Sequence, residues 1–204
     1  MKRTLILTTL LSMLGATYLS AEPVNSRKAM RILPKAIGPV ALTQYRERLP
    51  QKDIDQLSAA NLKLDDVFTA VGASLSGYGA VAISPDEGLL VEWISGVSEH
   101  HSPQAARAGA LNYCNSQKKT NSAECVVLLE VAPKGVDPDA ALTLSDAANA
   151  ALRDGYKSLK KPKAFAVSPS TGDFGYEAGD TSRALEACRS AVNKAEDCHI
   201  VIVD

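Results

Sequence analysis

Four cysteines are the residues whose type and spacing point most directly to chemistry in this chain. They fall into two short-range pairs, Cys114 with Cys125 and Cys188 with Cys198. An even number of cysteines at matched spacing is typical of disulfides in an exported protein. The sequence allows three pairings, and we predict the two local ones because the segments around the two pairs are related. A zinc site or a reactive thiol is the alternative, but the chain has no C-x-x-C spacing typical of zinc knuckles.

Glu99, His100 and His101 form the second candidate group, and they include two of the three histidines of the chain. Imidazole and carboxylate groups together suit acid–base catalysis or metal binding. Neighbouring side chains on an extended segment point to opposite faces, so this pair suits joint metal ligation poorly. An exposed loop pair is the simpler interpretation. The third histidine, His199, alternates with apolar residues and is expected on the outward face of the last strand.

Other catalytic or cofactor signatures do not emerge from the sequence. Ser74 and Ser76 lie between Gly72 and Gly77, but neither has the flanking glycines of a G-x-S-x-G nucleophile elbow. GxGxxG, Walker, HExxH and EF-hand patterns are missing as well. We therefore predict no cofactor, no metal and no catalytic residue. Trp93, Phe174 and Tyr176 are candidates for a binding surface, although aromatic residues on a hairpin belong more often to the core.

The first 21 residues have the features of a secretory signal. Lys2 and Arg3 precede an apolar run and then a stretch rich in small residues. The run is shorter than the roughly 20 residues of a membrane span, so we expect cleavage after Ala21 rather than an uncleaved anchor, although Leu19 is bulky for the minus-three position. Removal of residues 1–21 leaves 20 basic and 23 acidic residues, a net charge of −3. This balance argues against nucleic acid as the main partner, and no later stretch predicts a membrane span.

The exported part begins with two segments of different character. Four prolines within residues 22–50 predict an extended arm or linker. Apolar residues at three- and four-residue spacings within 51–77 predict a short helical segment broken near Asn61.

The remainder contains one unit twice, over residues 78–135 and 162–204. Three blocks recur in the same order: Ala82–Gly88 matches Ala166–Gly172, Ala110–Ser116 matches Ala184–Ser190, and Glu124–Val127 matches Asp197–Ile200. Each Ser-Pro-x-x-Gly block predicts a hairpin, because proline fixes φ and glycine supplies positive φ. A capped helix and a short apolar strand follow in each copy.

These elements define the predicted architecture. Residues 136–161, rich in Ala and Leu, are expected to form a connecting helix. The fold class is then α+β, in which the duplicated β-β-α-β unit forms one mainly antiparallel sheet with helices packed on it.

The repeats resemble a bacterial secreted family known as domain of unknown function 4189. The second copy carries the resemblance best, from Phe165-Ala166-Val167-Ser168-Pro169 through Thr181-Ser182-Arg183-Ala184 to Cys198 and Val203. The first copy departs from it, since residues 97–101 are inserted and Ala106-Arg107-Ala108 replaces Ser-Arg-Ala. The resemblance covers about half of the mature chain. It implies export and a compact α/β fold, and it carries no catalytic residues to transfer.

The leading functional hypothesis is an exported, non-enzymatic module, periplasmic or secreted, that binds a protein or a cell-envelope component. The alternative is a small secreted hydrolase that uses Glu99, His100 or His101. A third hypothesis treats the repeats as a scaffold and assigns the partner contacts to the arm, residues 22–50.

Overall fold

The structure is a computed structural model that describes residues 22–35, 39–63, 66, 77–89, 91, 94 and 96–204. The predicted signal, residues 1–21, lies outside the described residues, as do Ser74, Ser76 and Trp93. Within the described ranges, no helix has the length and apolar character needed to cross a membrane.

Helices and strands are interspersed along the described chain. Their bounds are as follows: α1 Ser26–Ile32, β1 Val40–Gln44, α2 Gln51–Ala59, β2 Tyr78–Ile83, β3 Gly96–His100, α3 Pro103–Gln117, β4 Val126–Pro133, α4 Asp146–Ala151, β5 Lys163–Val167, β6 Phe174–Ala178, α5 Thr181–Arg189 and β7 His199–Val203. A short 3-10 turn, Arg46–Arg48, follows β1, and a π turn, Leu152–Tyr156, continues α4.

The strands form two antiparallel sheets, which confirms the α+β class. One sheet has the order β1-β4-β2-β3 and the other has the order β6-β5-β7. We expected the strands of both copies to form one sheet. They form two because the outer edges of β4 and β7, the final strands of the copies, are already paired. Strand β1 covers the edge of β4, and Val24 forms a parallel bridge with Ile202 of β7. Since these edges are occupied by the chain itself, the two copies do not join through them.

The two copies match residue for residue at their centres. In the first copy Val81 pairs with Leu129 and Ala82 with Val127, so that Leu128 is an extra, bulged residue. In the second copy Phe165 pairs with Ile202 and Ala166 with Ile200, and Val201 is the bulged residue. A bulge is a specific local feature of a strand pair. Its recurrence at the same place supports the duplication predicted from the sequence.

Helices cover corresponding faces of the two sheets. Alanines at equivalent positions, Ala82 and Ala166, face α3 and α5 respectively and allow close packing of helix on sheet. The opposite face of the second sheet packs against α1 and α4 through Phe165 and Val167. The opposite face of the first sheet packs partly against α2, through Ile83 and Leu128.

Both predicted disulfides are present. Cys114 bonds Cys125 and Cys188 bonds Cys198, with Cα–Cα distances of 6.1 and 6.2 Å. Each therefore ties the helix of a repeat to the strand that follows it, which was the local pairing expected from the related segments.

The connections between the repeats and the start of the chain differ from expectation. Residues 22–50, predicted to be an extended arm, contain α1, β1 and the 3-10 turn, because Asn25 caps α1 and β1 pairs along β4. In the segment 51–77, α2 is the predicted first helix, and most of the second lies outside the described residues. The connecting helix predicted for 136–161 begins only at Asp146, where the Ser145 hydroxyl accepts a hydrogen bond from the Ala148 N–H.

Candidate functional site

His101 joins the two repeats. Its Nε2–H donates to the Asp173 carbonyl at 3.1 Å, and its Nδ1 accepts from the Ser145 N–H at 3.2 Å. These partners require a neutral imidazole with the proton on Nε2. Burial lowers the pKa of His101 to about 4, so the neutral form is the stable one near neutral pH. The ring thus connects the start of α3, the cap of α4 and the hairpin of the second copy.

His100 makes a second contact between the copies. Its Nδ1–H donates to the Pro169 carbonyl at 3.2 Å, and burial lowers its pKa. A Cβ at Gly172 would lie 2.5 Å from the Glu99 carbonyl oxygen. Glu99 itself has a φ of 59°, in the left-handed region that few residues other than glycine adopt. The segment is therefore a tight junction, and both histidines are buried rather than exposed in a loop.

The Glu99 side chain lies near a second carboxylate. A Cβ at Gly77 would be 3.5 Å from both Glu99 Oε1 and Asp146 Oδ1. The pKa of Asp146 is raised by burial and then by the charge of Glu99. Burial, with the charges of Asp137 and Asp146, raises the pKa of Tyr78 to about 12. This acidic group adjoins the junction, because Glu99 directly precedes His100.

The hairpin of the second copy is held by a hydroxyl network. Ser168 and Ser170 both donate to Asp197, which precedes Cys198. Burial raises the pKa of Asp197, but these hydroxyls and the Ser170 N–H outweigh burial and lower it. In the first copy the Ser84 hydroxyl likewise donates to the loop, at the Ala123 carbonyl, and Asp86 of the hairpin accepts from the Ala123 N–H. Both networks fasten the hairpin to the loop before β7 or β4, and a structural role accounts for them.

A cleft lies where the two repeats, the connecting segment and the start of the arm meet. Its volume is about 180 Å³. Drug-sized ligands need pockets of roughly 300 Å³ or more, whereas a cavity of about 150 Å³ accommodates benzene. The cleft therefore fits one small apolar group. Its walls are mostly apolar, with Glu22 at the exposed rim, and the lining residues that matter below are His101, Val167, Pro169, His199 and Val201.

The structure assigns the candidate residues to different surroundings. His101 and the half-buried His199 both line the cleft, whereas Phe174 and Tyr176 pack on Phe165 with ring centroids 5.6 and 5.5 Å apart. These two aromatic residues are therefore core, as expected. Val201 was missed by sequence reasoning, although its match to Leu128 in the aligned copies was a usable signal.

Metal binding finds no support among the residues that the structure describes. In those ranges, no group of three or more His, Cys, Asp or Glu side chains is arranged to hold an ion. Both nitrogens of His101 bind backbone groups, and all four cysteines are in disulfides.

Comparison with known proteins returned no match to a protein-family model, to a curated protein or to a solved structure.

Proposed function

We propose that this chain is an exported, non-enzymatic binding module, periplasmic or secreted, and that it binds a protein or cell-envelope component at the cleft between its repeats. The observation that carries the proposal is the partial exposure of Val201. The equivalent Leu128 is 1% exposed beneath the chain's own apolar residues, whereas Val201 lines an open cleft. Partly exposed apolar side chains in a concave site are typical of binding surfaces.

Two further features favour binding over the hydrolase alternative. A general base needs a nitrogen within reach of substrate, and His101 uses both of its nitrogens on backbone groups. His100 is 3% exposed and bonds the Pro169 carbonyl. These contacts suit a rigid junction that holds the walls of the cleft in place.

Export is supported by the two disulfides, which persist in oxidising compartments, and by the signal-like residues 1–21. The relationship of the repeats to domain of unknown function 4189 belongs to the same proposal. Mass determination of the protein recovered outside the cytosol is expected to give a chain that begins at Glu22. Recovery of the full-length chain with four free thiols would contradict export.

The binding proposal is tested by quantitative capture from the native envelope. Wild type is compared with Val201→Glu and with Val192→Glu, since Val192 is 93% exposed and does not line the cleft. The same partner should be captured by wild type and by Val192→Glu and be depleted with Val201→Glu. Equal recovery with all three proteins, after circular dichroism has established that they are folded, would contradict binding at the cleft.

A further inference from the structure

The two repeats treat the bulged residue of the final strand in related ways. In the first copy the Tyr45 N–H donates to the Leu128 carbonyl at 2.9 Å, and in the second the Val24 N–H donates to the Val201 carbonyl at 3.0 Å. Each copy therefore uses a segment from outside the repeat to satisfy the same carbonyl. Because the register within the repeats coincides and the same carbonyl is satisfied in each, the surroundings of Leu128 are a guide to what fits beside Val201.

In the first copy an aliphatic side chain seals the position. After Tyr45 the chain makes the 3-10 turn, and Leu49 packs with Ile83 and Leu128. Arg48 donates to the Val127 carbonyl at 2.7 Å and lies over the Tyr45 ring at 3.9 Å. The covering segment thus combines a backbone hydrogen bond, a buried leucine and a basic side chain.

In the second copy the covering segment runs in the opposite direction. Val24 pairs in parallel with β7, and the chain then leads back to Glu22 at the rim of the cleft. The residues equivalent to Ile83 and Leu128 are Val167 and Val201, and both line the cleft. The cleft therefore lies beside the equivalents of two residues that pack with Leu49 in the first copy, and the Glu22 carboxylate at its rim would attract a basic neighbour.

We infer, on the basis of the proposed function, that the cleft takes an aliphatic side chain of a partner polypeptide, with a neighbouring arginine or lysine that interacts with Glu22. The volume suits one such side chain and is small for a cofactor. The first copy supplies the precedent, since Leu49 packs with the equivalents of Val167 and Val201 and the neighbouring Arg48 donates to the Val127 carbonyl.

A peptide of residues Tyr45–Lys52 is the probe, because it contains the chain's own covering sequence. Fluorescence anisotropy of the labelled peptide with the purified protein should show saturable binding, with a Kd of about 1 mM or tighter. Replacement of Leu49 by Asp in the peptide should weaken binding about tenfold or more, as loss of a buried aliphatic side chain requires. Glu22→Ser in the protein, which removes the carboxylate and keeps the α-ammonium of the mature chain, should weaken binding about threefold and reduce its dependence on salt.

Protein variants locate the peptide. Val201→Thr, an isosteric change that spares the fold, should weaken binding several-fold, whereas the matched Val192→Thr should have no effect. Absence of saturable binding, or equal binding of the Leu49→Asp peptide, would overturn the inference. Cleft-dependent capture of the native partner in the absence of peptide binding would overturn this inference alone. Capture that ignores Val201→Glu would overturn the proposed function itself.

Discussion

The two repeats share a strand framework and differ in their core side chains and in what covers them. The three strands of each repeat follow the same order in their sheet, β3-β2-β4 in the first and β6-β5-β7 in the second. Both repeats also have the same bulge and a disulfide from the helix to the final strand. In the first repeat β1 pairs with five residues of β4, and the chain then seals Leu128. In the second, Val24 makes an isolated bridge and Val201 stays partly exposed. The comparison shows that two copies of one unit keep the same strand framework while their core side chains and their covering segments differ.

The largest expected difference between the repeats lies at equivalent core positions, Val81 and Phe165. Phe165 is fully buried and stacks between Phe174 and Tyr176. We expect Phe165→Ala to lower the free energy of unfolding by about 4 kcal/mol, because it removes a large buried ring and leaves a cavity. Val81→Ala should cost about 2 kcal/mol. Urea denaturation measures both, and equal losses would mean that the aromatic cluster is not the core of the second repeat.

The disulfides should contribute almost equally. The cross-linked segments have sequence separations of 11 and 10 residues. In the chain-entropy account, loops of this size predict a stabilisation of about 3 kcal/mol each. Replacement of Cys114 and Cys125 by alanine is compared with replacement of Cys188 and Cys198 by thermal denaturation. A large loss for one pair and none for the other would contradict the structural equivalence of the two repeats.

The junction residues inserted in the first copy should make stability sensitive to pH. The folded pKa of His101 is about 4, against an ordinary value of 6.5, because of burial. Between these values the unfolded chain binds a proton that the folded protein excludes. Stability should therefore fall as the pH drops from about 6.5 to 4, by up to about 3 kcal/mol. Burial also lowers the pKa of His100, which adds to the same loss of stability. The charges of His100 and His199 lower the pKa of His101 further, and the charge of Asp173 raises it.

Denaturation curves at several pH values test this expectation. His101→Gln retains a donor and an acceptor but does not titrate. The free energy of unfolding of this variant should be lower near pH 7 and should change less between pH 6.5 and 4. An unchanged pH dependence in this variant would show that His101 is not the responsible group.

The smallest expected effect concerns Glu130, whose equivalent in the second copy is Val203. Arg107 forms two hydrogen bonds of 2.8 Å with the Glu130 carboxylate, and Tyr45 donates a third. The Arg107 side chain is 44% exposed, so solvent screens the pair. Arg107→Ala should lower the free energy of unfolding by about 1 kcal/mol or less, and the loss should shrink in high salt. A loss that is independent of salt would point to packing rather than charge.

Local patterns carried much of the fold and little of the site. The Ser-Pro-x-x-Gly blocks, the helices before Cys114 and Cys188 and the local disulfides follow from residues close together in sequence. The bridge of Val24 to Ile202 joins residues 178 positions apart, and no local pattern indicates it. The cleft likewise depends on how both copies and the arm meet. The match of Leu128 to Val201 follows from the aligned sequences, but that one residue is covered and the other lines a cleft does not.

The most direct test of the comparison is methyl NMR of Leu128 and Val201 during titration with the Tyr45–Lys52 peptide. Both methyl groups lie at the same position of the same unit, one sealed and one open. The account predicts that the Val201 resonances shift saturably while those of Leu128 stay unchanged. Unchanged Val201 resonances, or equal shifts at both residues, would contradict the claim that the second repeat binds where the first is closed.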